Sequence, residues 1–433
     1  MKSTPEQMTN ELKSLRIQKG IISGKFKTLL KDSSEHLQQL ELMKQISLKI
    51  KLLEANIKDT VTEGKNTDNP SPLPRKTPFG HLGDLPDWNN EITITTEAFR
   101  SVSEWPRLIQ NSKISLPSHD AAWIDVIEKS FGHNSLIICA RSASGELIGG
   151  IPLVVFSSPL FGKFAVSIPF LNYGGMVSYY KDVSKKLMNS VESVRKELDL
   201  KHVEVRSIYE GLGDSFSTKK VSMILQLPTD DNQLEKTLGS KLRAQYKKAE
   251  EFNPSFKIGK QDLLEDFYSV FARNMRDLGT PVYSKSWFGN ILKDPRLDSN
   301  IIVVYVKNKP VSCGFLVRHE SLMEIPWAST IKSANKYNTN MWMYRKILSF
   351  SIEQECKYFD FGRSTVNAGT YKFKKQWGAE PHQNYWYHFL SQSDRKPEIN
   401  PDNPRLRIFI ALWKWLPIWI ANIIGPQIIK GIP

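Results

Sequence analysis

Cysteine is scarce in this chain: there are three in 433 residues, Cys139, Cys313 and Cys356, set far apart. A disulfide scaffold is thereby excluded, and reduced, buried thiols in a cytoplasmic protein are expected. The eight histidines show no ligand spacing, so no structural metal is expected. No apolar run reaches the roughly 20 residues that a bilayer-spanning helix needs. The nearest, Ile408 to Ile424, is broken by Lys414 and Pro417. The start of the chain is polar and charged, without the apolar segment of a signal peptide. Neither a G-x-S-x-G motif nor a Cys–His pairing in a recognisable family context is visible, which fits direct attack without a covalent intermediate.

Positive charge, by contrast, is plentiful. Lysine and arginine total 59 against 45 acidic residues, a formal charge of +14. Such a balance favours a polyanionic partner, whether RNA, a phosphorylated substrate or an anionic membrane surface. The length suits two domains of ordinary size plus additional segments.

The chain also repeats itself. Ser135–Arg141, a Ser-Gly turn, Glu146 to Val154, Ser167-Ile-Pro-Phe170 and Val203-Glu-Val-Arg206-Ser207 form the first copy. Asn300 to Val306, a Lys-Asn-Lys-Pro turn, Val311 to Val317, Glu324-Ile-Pro-Trp327 and Phe359-Asp-Phe-Gly-Arg363-Ser364 form the second. Each reads as strand, tight turn, strand, Ile-Pro-aromatic strand, long helix and a strand ending in Arg-Ser, a duplicated domain. Past the Arg-Ser pair the second copy alone carries a segment dense in cations and aromatics, Tyr371-Lys-Phe-Lys-Lys-Gln-Trp377-Gly378. The chemistry is therefore expected in the second copy, facing a cleft shared with the first.

Five segments follow. Residues 1–60 read as a helical hairpin: Met8, Leu12, Leu15, Ile22, Phe26 and Leu29 make one apolar seam, Leu40, Met43, Ile46, Ile50, Leu53 and Ile57 the other, and Asp32 with Glu35 a capping box. Residues 61–88 are a Pro/Gly/Asn-rich linker, expected to be extended and poorly ordered. The first repeat occupies 89–228 and the second 229–395, the latter opening with a basic helix from Lys236 to Phe252. The tail, 396–433, is amphipathic and rich in Trp and Ile, either an interfacial helix that lies on a membrane or a cap on the second domain.

The motifs Ala272-Arg-Asn-Met-Arg276-Asp-Leu-Gly279-Thr-Pro281, Glu324-Ile-Pro-Trp-Ala-Ser329, Phe359 to Ser364 and Tyr371 to Glu380 together resemble FemAB-type proteins of bacterial exopolysaccharide and exosortase systems, over roughly residue 90 to the C-terminus. The resemblance implies a mixed α+β fold with two tandem GNAT-like acyltransferase domains. It also implies an N-acyltransferase that moves an aminoacyl or acyl group onto an amine of a peptidoglycan precursor or exopolysaccharide. The donor would be aminoacyl-tRNA or acyl-CoA, and the location cytoplasmic or at the periphery of the inner membrane. The family's Phe-Lys element maps onto Phe373 and Lys374. The N-terminal hairpin is loosely similar to the tRNA-binding arm of seryl-tRNA synthetase; dimerisation through a coiled coil explains the same periodicity. A scaffold that assembles an export complex is the non-enzymatic alternative.

Acyl transfer to an amine needs a neutral nucleophile, a polarised carbonyl and a place for developing charge. Lys374 is the candidate for the oxyanion or a phosphate, with Lys372 and Lys375 beside it. If the segment is a strand, Lys372 and Lys374 share one face and Phe373 the other. Asp360 either takes the amine proton or pairs with Arg363 or caps the next turn, and Glu324 is a second candidate base. Arg273 and Arg276 either clamp an anion or line a solvated helix face. Asn172 and Tyr173 would wall the acceptor site, with Tyr371, Phe373 and Arg363 as further binding residues. No Gly-rich pyrophosphate loop of the acetyl-CoA enzymes is visible, which favours a tRNA-borne aminoacyl donor or an unusual acyl carrier.

Overall fold

A computed structural model describes residues 5–25, 35, 38–43, 45–47, 49–50, 77–158, 162–390 and 404–433. The chain divides into two units, Met1–Arg75 and Lys76–Pro433.

In the first unit, Pro5–Lys25 is a helix, and the described residues of 38–50 are helical. Leu15, Ile22, Ile46 and Ile50 form one buried cluster, joined by Leu12 and Met43. These positions belong to the two expected seams. Phe26, Leu29, Asp32, Leu53 and Ile57 lie outside the described residues.

The second unit is mixed α+β, built on two sheets. The first contains β1 (Ile92–Ala98), β2 (Asn134–Ser142), β3 (Leu147–Ser158), β4 (Gly162–Val166), β5 (Val177–Ser178), β6 (His202–Ser207) and β7 (Phe216–Ser217). The second contains β8 (Lys220–Gln226), β9 (Ser255–Gly259), β10 (Asp298–Val306), β11 (Lys309–His319), β12 (Leu322–Thr330), β13 (Tyr358–Thr365) and β14 (Glu380–Gln383). A last strand, β15 (Tyr385–Leu390), returns to the first sheet, giving the orders β1-β2-β3-β4-β6-β15-β7 and β14-β8-β13-β12-β11-β10-β9.

The repeat read in the sequence is therefore a repeat of architecture. In each half an antiparallel meander meets a parallel strand after a long helix, Lys181–Glu197 in the first and Thr339–Glu353 in the second. The halves also exchange strands. β8, which the sequence places at the end of the first repeat, pairs with β13 of the second sheet, and β15 pairs with β6 of the first. Strand exchange ties the halves through backbone hydrogen bonds, and buried residues of both halves merge in one apolar cluster that includes Phe131, Phe170, Trp287 and Trp327.

Local signals explain some element ends. The helix Ala121–Phe131 is capped by the Asp120 side chain, which accepts from Ala122 N–H at 2.8 Å, and stops at left-handed Gly132. The basic segment expected as one helix is broken: Asp231–Thr237 and Ser240–Lys247 are separate helices, and Lys248–Phe252 is a 3-10 turn. Leu238 and extended Gly239 divide them so that Leu234, Leu238 and Leu242 can all bury. The end of the expected linker is packed rather than loose. Phe79 and Leu85 are buried, Phe79 meets Tyr173 edge-on at 5.2 Å, and Trp88 lies 4.5 Å from Tyr180.

Candidate active site

β12 and β13 run parallel only where Leu322–Glu324 faces Tyr358–Asp360. Beyond that point β12 follows β11 to Thr330 and β13 follows β8 to Thr365, so a V opens between them. Gly362 lies at the irregularity in β13 with φ of +80°, a left-handed conformation that glycine adopts without penalty.

Two carboxylates face each other at the apex of the V. Asp360 is fully buried; its Oδ1 accepts from the Gly362 N–H at 2.7 Å and its Oδ2 from the Tyr173 hydroxyl at 3.2 Å. Glu324 is half-buried and accepts from the Asn172 side-chain amide. Lys374, 8% exposed, donates from Nζ to the carbonyls of Gly362 at 2.9 Å and Arg363 at 2.8 Å. Two of its three N–H groups are thus spent on the end of β13. Burial raises both carboxyl pKa values, and the Asp360 charge raises that of Glu324 further. Burial also lowers Lys374 to about 8, against the opposing pull of Asp360. The cluster therefore holds exchangeable protons near neutral pH.

Asn172 and Tyr173 reach this apex from the first half, on the loop after β4. Ile168 (φ 45°) and Phe170 (φ 70°) of that loop are left-handed, which bulky and β-branched residues rarely tolerate. Both are buried, and Phe170 stacks on Phe131 at 4.3 Å, so packing holds the strained backbone in place. The same loop stitches the first half's own V shut. Ser167 N–H donates to the Glu204 carbonyl at 2.9 Å, Ser167 Oγ accepts from Arg206 N–H at 2.8 Å, and Gly174 N–H donates to the Arg206 carbonyl at 2.8 Å. In the second half Asn172 bridges the two arms, donating to Glu324 and accepting from Arg363 N–H at 3.4 Å. The halves thus differ where chemistry would occur: one V is sealed by its own chain, the other is only bridged.

Arg363 does not pair with Asp360, which caps the turn at Gly362 instead. Its guanidinium lies over the Trp386 ring, 5.1 Å from the centre, while Arg206 lies 4.6 Å from the same centre. Arg206 is buried and paired with Glu204 at 2.8 Å, yet among the described residues its Nη1 has no hydrogen-bond partner. Burial, with the nearby Arg206 charge, lowers Arg363 to about 10. Trp386 and Arg206 were missed as site residues. The repeated Arg-Ser pair was a signal for Arg206; nothing local marks Trp386.

The structure thus gathers Asn172, Tyr173, Glu324, Asp360, Arg363 and Lys374. The others stand apart from this hydrogen-bonded cluster. Gly369–Lys375 is a helix, not a strand, so the alternation argument fails there. At helical spacing, Tyr371, Lys374 and Trp377 share the inward face, and Lys372 is exposed. Phe373 packs edge-on against Tyr344 at 5.0 Å. Arg276 donates to the Leu416 carbonyl at 2.8 Å and pairs with Asp277, so it holds the C-terminal tail, while Arg273 is exposed on the same helix.

Glu324 also lines a narrow cleft of about 20 Å³ between the halves, with Asn172, Tyr173, Asp120, Leu322 and His319. That volume holds about one water. It adjoins a depression of about 490 Å³ that shares Pro117, Asp120, His319 and Leu322, a size suited to a small substrate. Asp360 and Lys374 stand behind Glu324 and do not line either cavity. Among the described residues no group of His, Cys, Asp and Glu could hold a metal ion.

Residues 238–375 match the model of the acetyltransferase (GNAT) domain family. The chain therefore carries an acyltransferase domain in its second half. No curated protein matches it. Among solved structures, FemX is 12% identical with a TM-score of 0.49, covering 66% of this chain and 95% of that one. The L-PGS from Bacillus licheniformis is also 12% identical with a TM-score of 0.45, covering 75% of this chain and 97% of that one.

Proposed function

We propose that this protein is an N-acyltransferase in which Glu324 takes the proton from an attacking amine. The observation that carries this reading is the open V of β12 and β13, with a half-buried carboxylate at its apex that also lines the inter-domain cleft. A base for this task works best with a pKa near the operating pH, and burial beside Asp360 moves Glu324 in that direction. Asp360 and Lys374 act behind it. Asp360 fixes the turn at Gly362 and the hydroxyl of Tyr173; Lys374 offsets the carboxylate charge and holds the end of β13.

The reaction balances as a direct transfer. The amine nitrogen forms a bond to the acyl carbon, the bond from that carbon to the donor's leaving atom breaks, and the amine proton passes to the Glu324 carboxylate. The GNAT family match favours an acyl-CoA thioester over aminoacyl-tRNA as donor. In place of a Gly-rich loop, β12 leads through Lys332–Tyr337 into the helix Thr339–Glu353, whose first turn carries no acid. Exposed Lys332 and Lys336 flank that helix start and would meet the donor's phosphates. The acceptor is an amine of a cell-envelope precursor or exopolysaccharide, a choice supported by the motif resemblance.

The test is thiol release from acetyl-CoA and longer acyl-CoA thioesters with amino sugars and peptide amines as acceptors. Release that depends on the acceptor, and that falls at least a hundredfold in Glu324→Gln, is the expected result. Full activity in Glu324→Gln would remove its role as base. Transfer from aminoacyl-tRNA alone would overturn the choice of donor.

A further inference from the structure

We infer that the C-terminal helical pair is a docking surface for an anionic lipid bilayer. Pro404–Trp413 and Ile418–Ile429 are joined at Pro417. One face of the pair is fixed to the domain. Arg276 donates to the Leu416 carbonyl at the turn, and the His133 ring contacts the Lys430 carbonyl at 3.0 Å. Added Cβ atoms would meet Ile410 at 2.6 Å from Gly279 and Val282 at 2.9 Å from Gly425, so the backbones dock closely. Trp413, Ala421 and Ile429 are buried in this contact.

Within the second unit, the described residues leave the opposite face uncovered. Trp415 is 86% exposed, Trp419 66%, Leu412 64% and Ile423 64%, with Phe409 and Ile424 also exposed. Large apolar side chains gathered at this density on a short segment mark a surface that binds something apolar. Two features say what. Residues 404–433 carry Arg405, Arg407, Lys414 and Lys430 and no acid, on a chain of net charge +14. Tryptophan beside lysine is the composition of a helix lying in the headgroup region, where the indole spans the boundary between apolar and wet. Two copies, each of net charge +14, repel one another, whereas an anionic bilayer attracts such a chain, so charge favours the bilayer. The helices are 10 and 12 residues long. At 1.5 Å per residue the longer reaches about 18 Å, short of the roughly 30 Å apolar core, so the pair lies in one leaflet and does not cross.

The experiment is flotation of the full-length protein with vesicles of phosphatidylglycerol and phosphatidylethanolamine, and with phosphatidylcholine vesicles. The protein is expected to float with the anionic vesicles, and Trp415→Ala/Trp419→Ala to weaken that partition at least tenfold. Both tryptophans are exposed, so the variant should keep the wild-type thermal midpoint. No flotation with anionic vesicles overturns the proposal, and so does flotation that the double variant leaves unchanged. A dimer by light scattering that the double variant converts to monomer would assign the face to a second copy instead and likewise overturn it.

Discussion

Arg206 and Arg363 hold the same place in the two halves, and their guanidiniums meet at one indole, 4.6 and 5.1 Å from the centre of Trp386. The exchange of β15 into the first sheet makes this convergence, because it carries Trp386 from the second half to a position opposite Arg206. The two arginines nevertheless do different work. Arg206 neutralises buried Glu204; Arg363 is half-buried, and among the described residues no carboxylate is bonded to its side chain, so it can meet an anionic group.

Substitution separates these roles. Arg206→Ala removes the guanidinium bonded to buried Glu204, which also lies 3.5 Å from His388, and is expected to lower folding stability by ~3–5 kcal/mol. Arg363→Ala should cost less than about 1 kcal/mol in stability while raising KM for an anionic substrate. Urea denaturation of both variants checks the difference; equal losses would contradict it.

Glu324 gives a pH-dependent prediction. In the folded protein its pKa is raised from 4.5 to about 8, so between those values the native state holds a proton that the unfolded chain releases. The stabilisation from this proton is full below pH 4.5 and is lost as pH rises through about 8. Glu324→Gln has no such titration and can still accept from Asn172. The variant is therefore expected to match the wild type in denaturation midpoint near pH 5 and exceed it near pH 9, while transferase activity is lost at both. A midpoint below wild type at pH 9 would contradict the assigned direction.

Much of this architecture was legible because it is written twice. Strand order, the Ile-Pro-aromatic strand and the Arg-Ser strand end recur at matching places, and periodicity of two in a strand or of three to four in a helix survives without knowledge of tertiary contacts. What could not be read was the partner of each strand. β8 and β15 have ordinary strand patterns, and exchange between sheets leaves no local mark. The helix Gly369–Lys375 was misread because Tyr-Lys-Phe-Lys alternates apolar and charged residues like a strand. Burial of Lys374 and Trp377 at a spacing of three decides the matter. Arg276 had the right residue type in a plausible pattern, yet it serves the tail. Charge on a helix shows that a partner is needed without naming it.

The segment before the first repeat offers a third test. A Cβ on Gly80 would lie 1.9 Å from the Lys113 carbonyl oxygen, a backbone atom that cannot give way as a side chain would. Gly80→Ala must therefore lift the segment that carries Phe79, whose ring rests against Tyr173. A stability loss above about 2 kcal/mol is expected, with reduced activity through Tyr173. A variant of unchanged stability would show that this segment is not packed as described.

Gly362 couples backbone conformation to the site itself. Alanine there must adopt φ near +80°, at a cost of ~1–2 kcal/mol for an L-residue. Its Cβ would also stand 3.3 Å from the Asn172 amide nitrogen, the group that donates to Glu324. The first effect is local to the bulge; the second acts only while the Asn172 side chain is present. Asn172→Ala and Gly362→Ala should therefore combine less than additively, with a coupling of ~0.5–1 kcal/mol. A double-mutant cycle by urea denaturation measures it. Strict additivity would mean that Asn172 moves aside freely, and its place as the bridge between the arms of the V would then carry no energy.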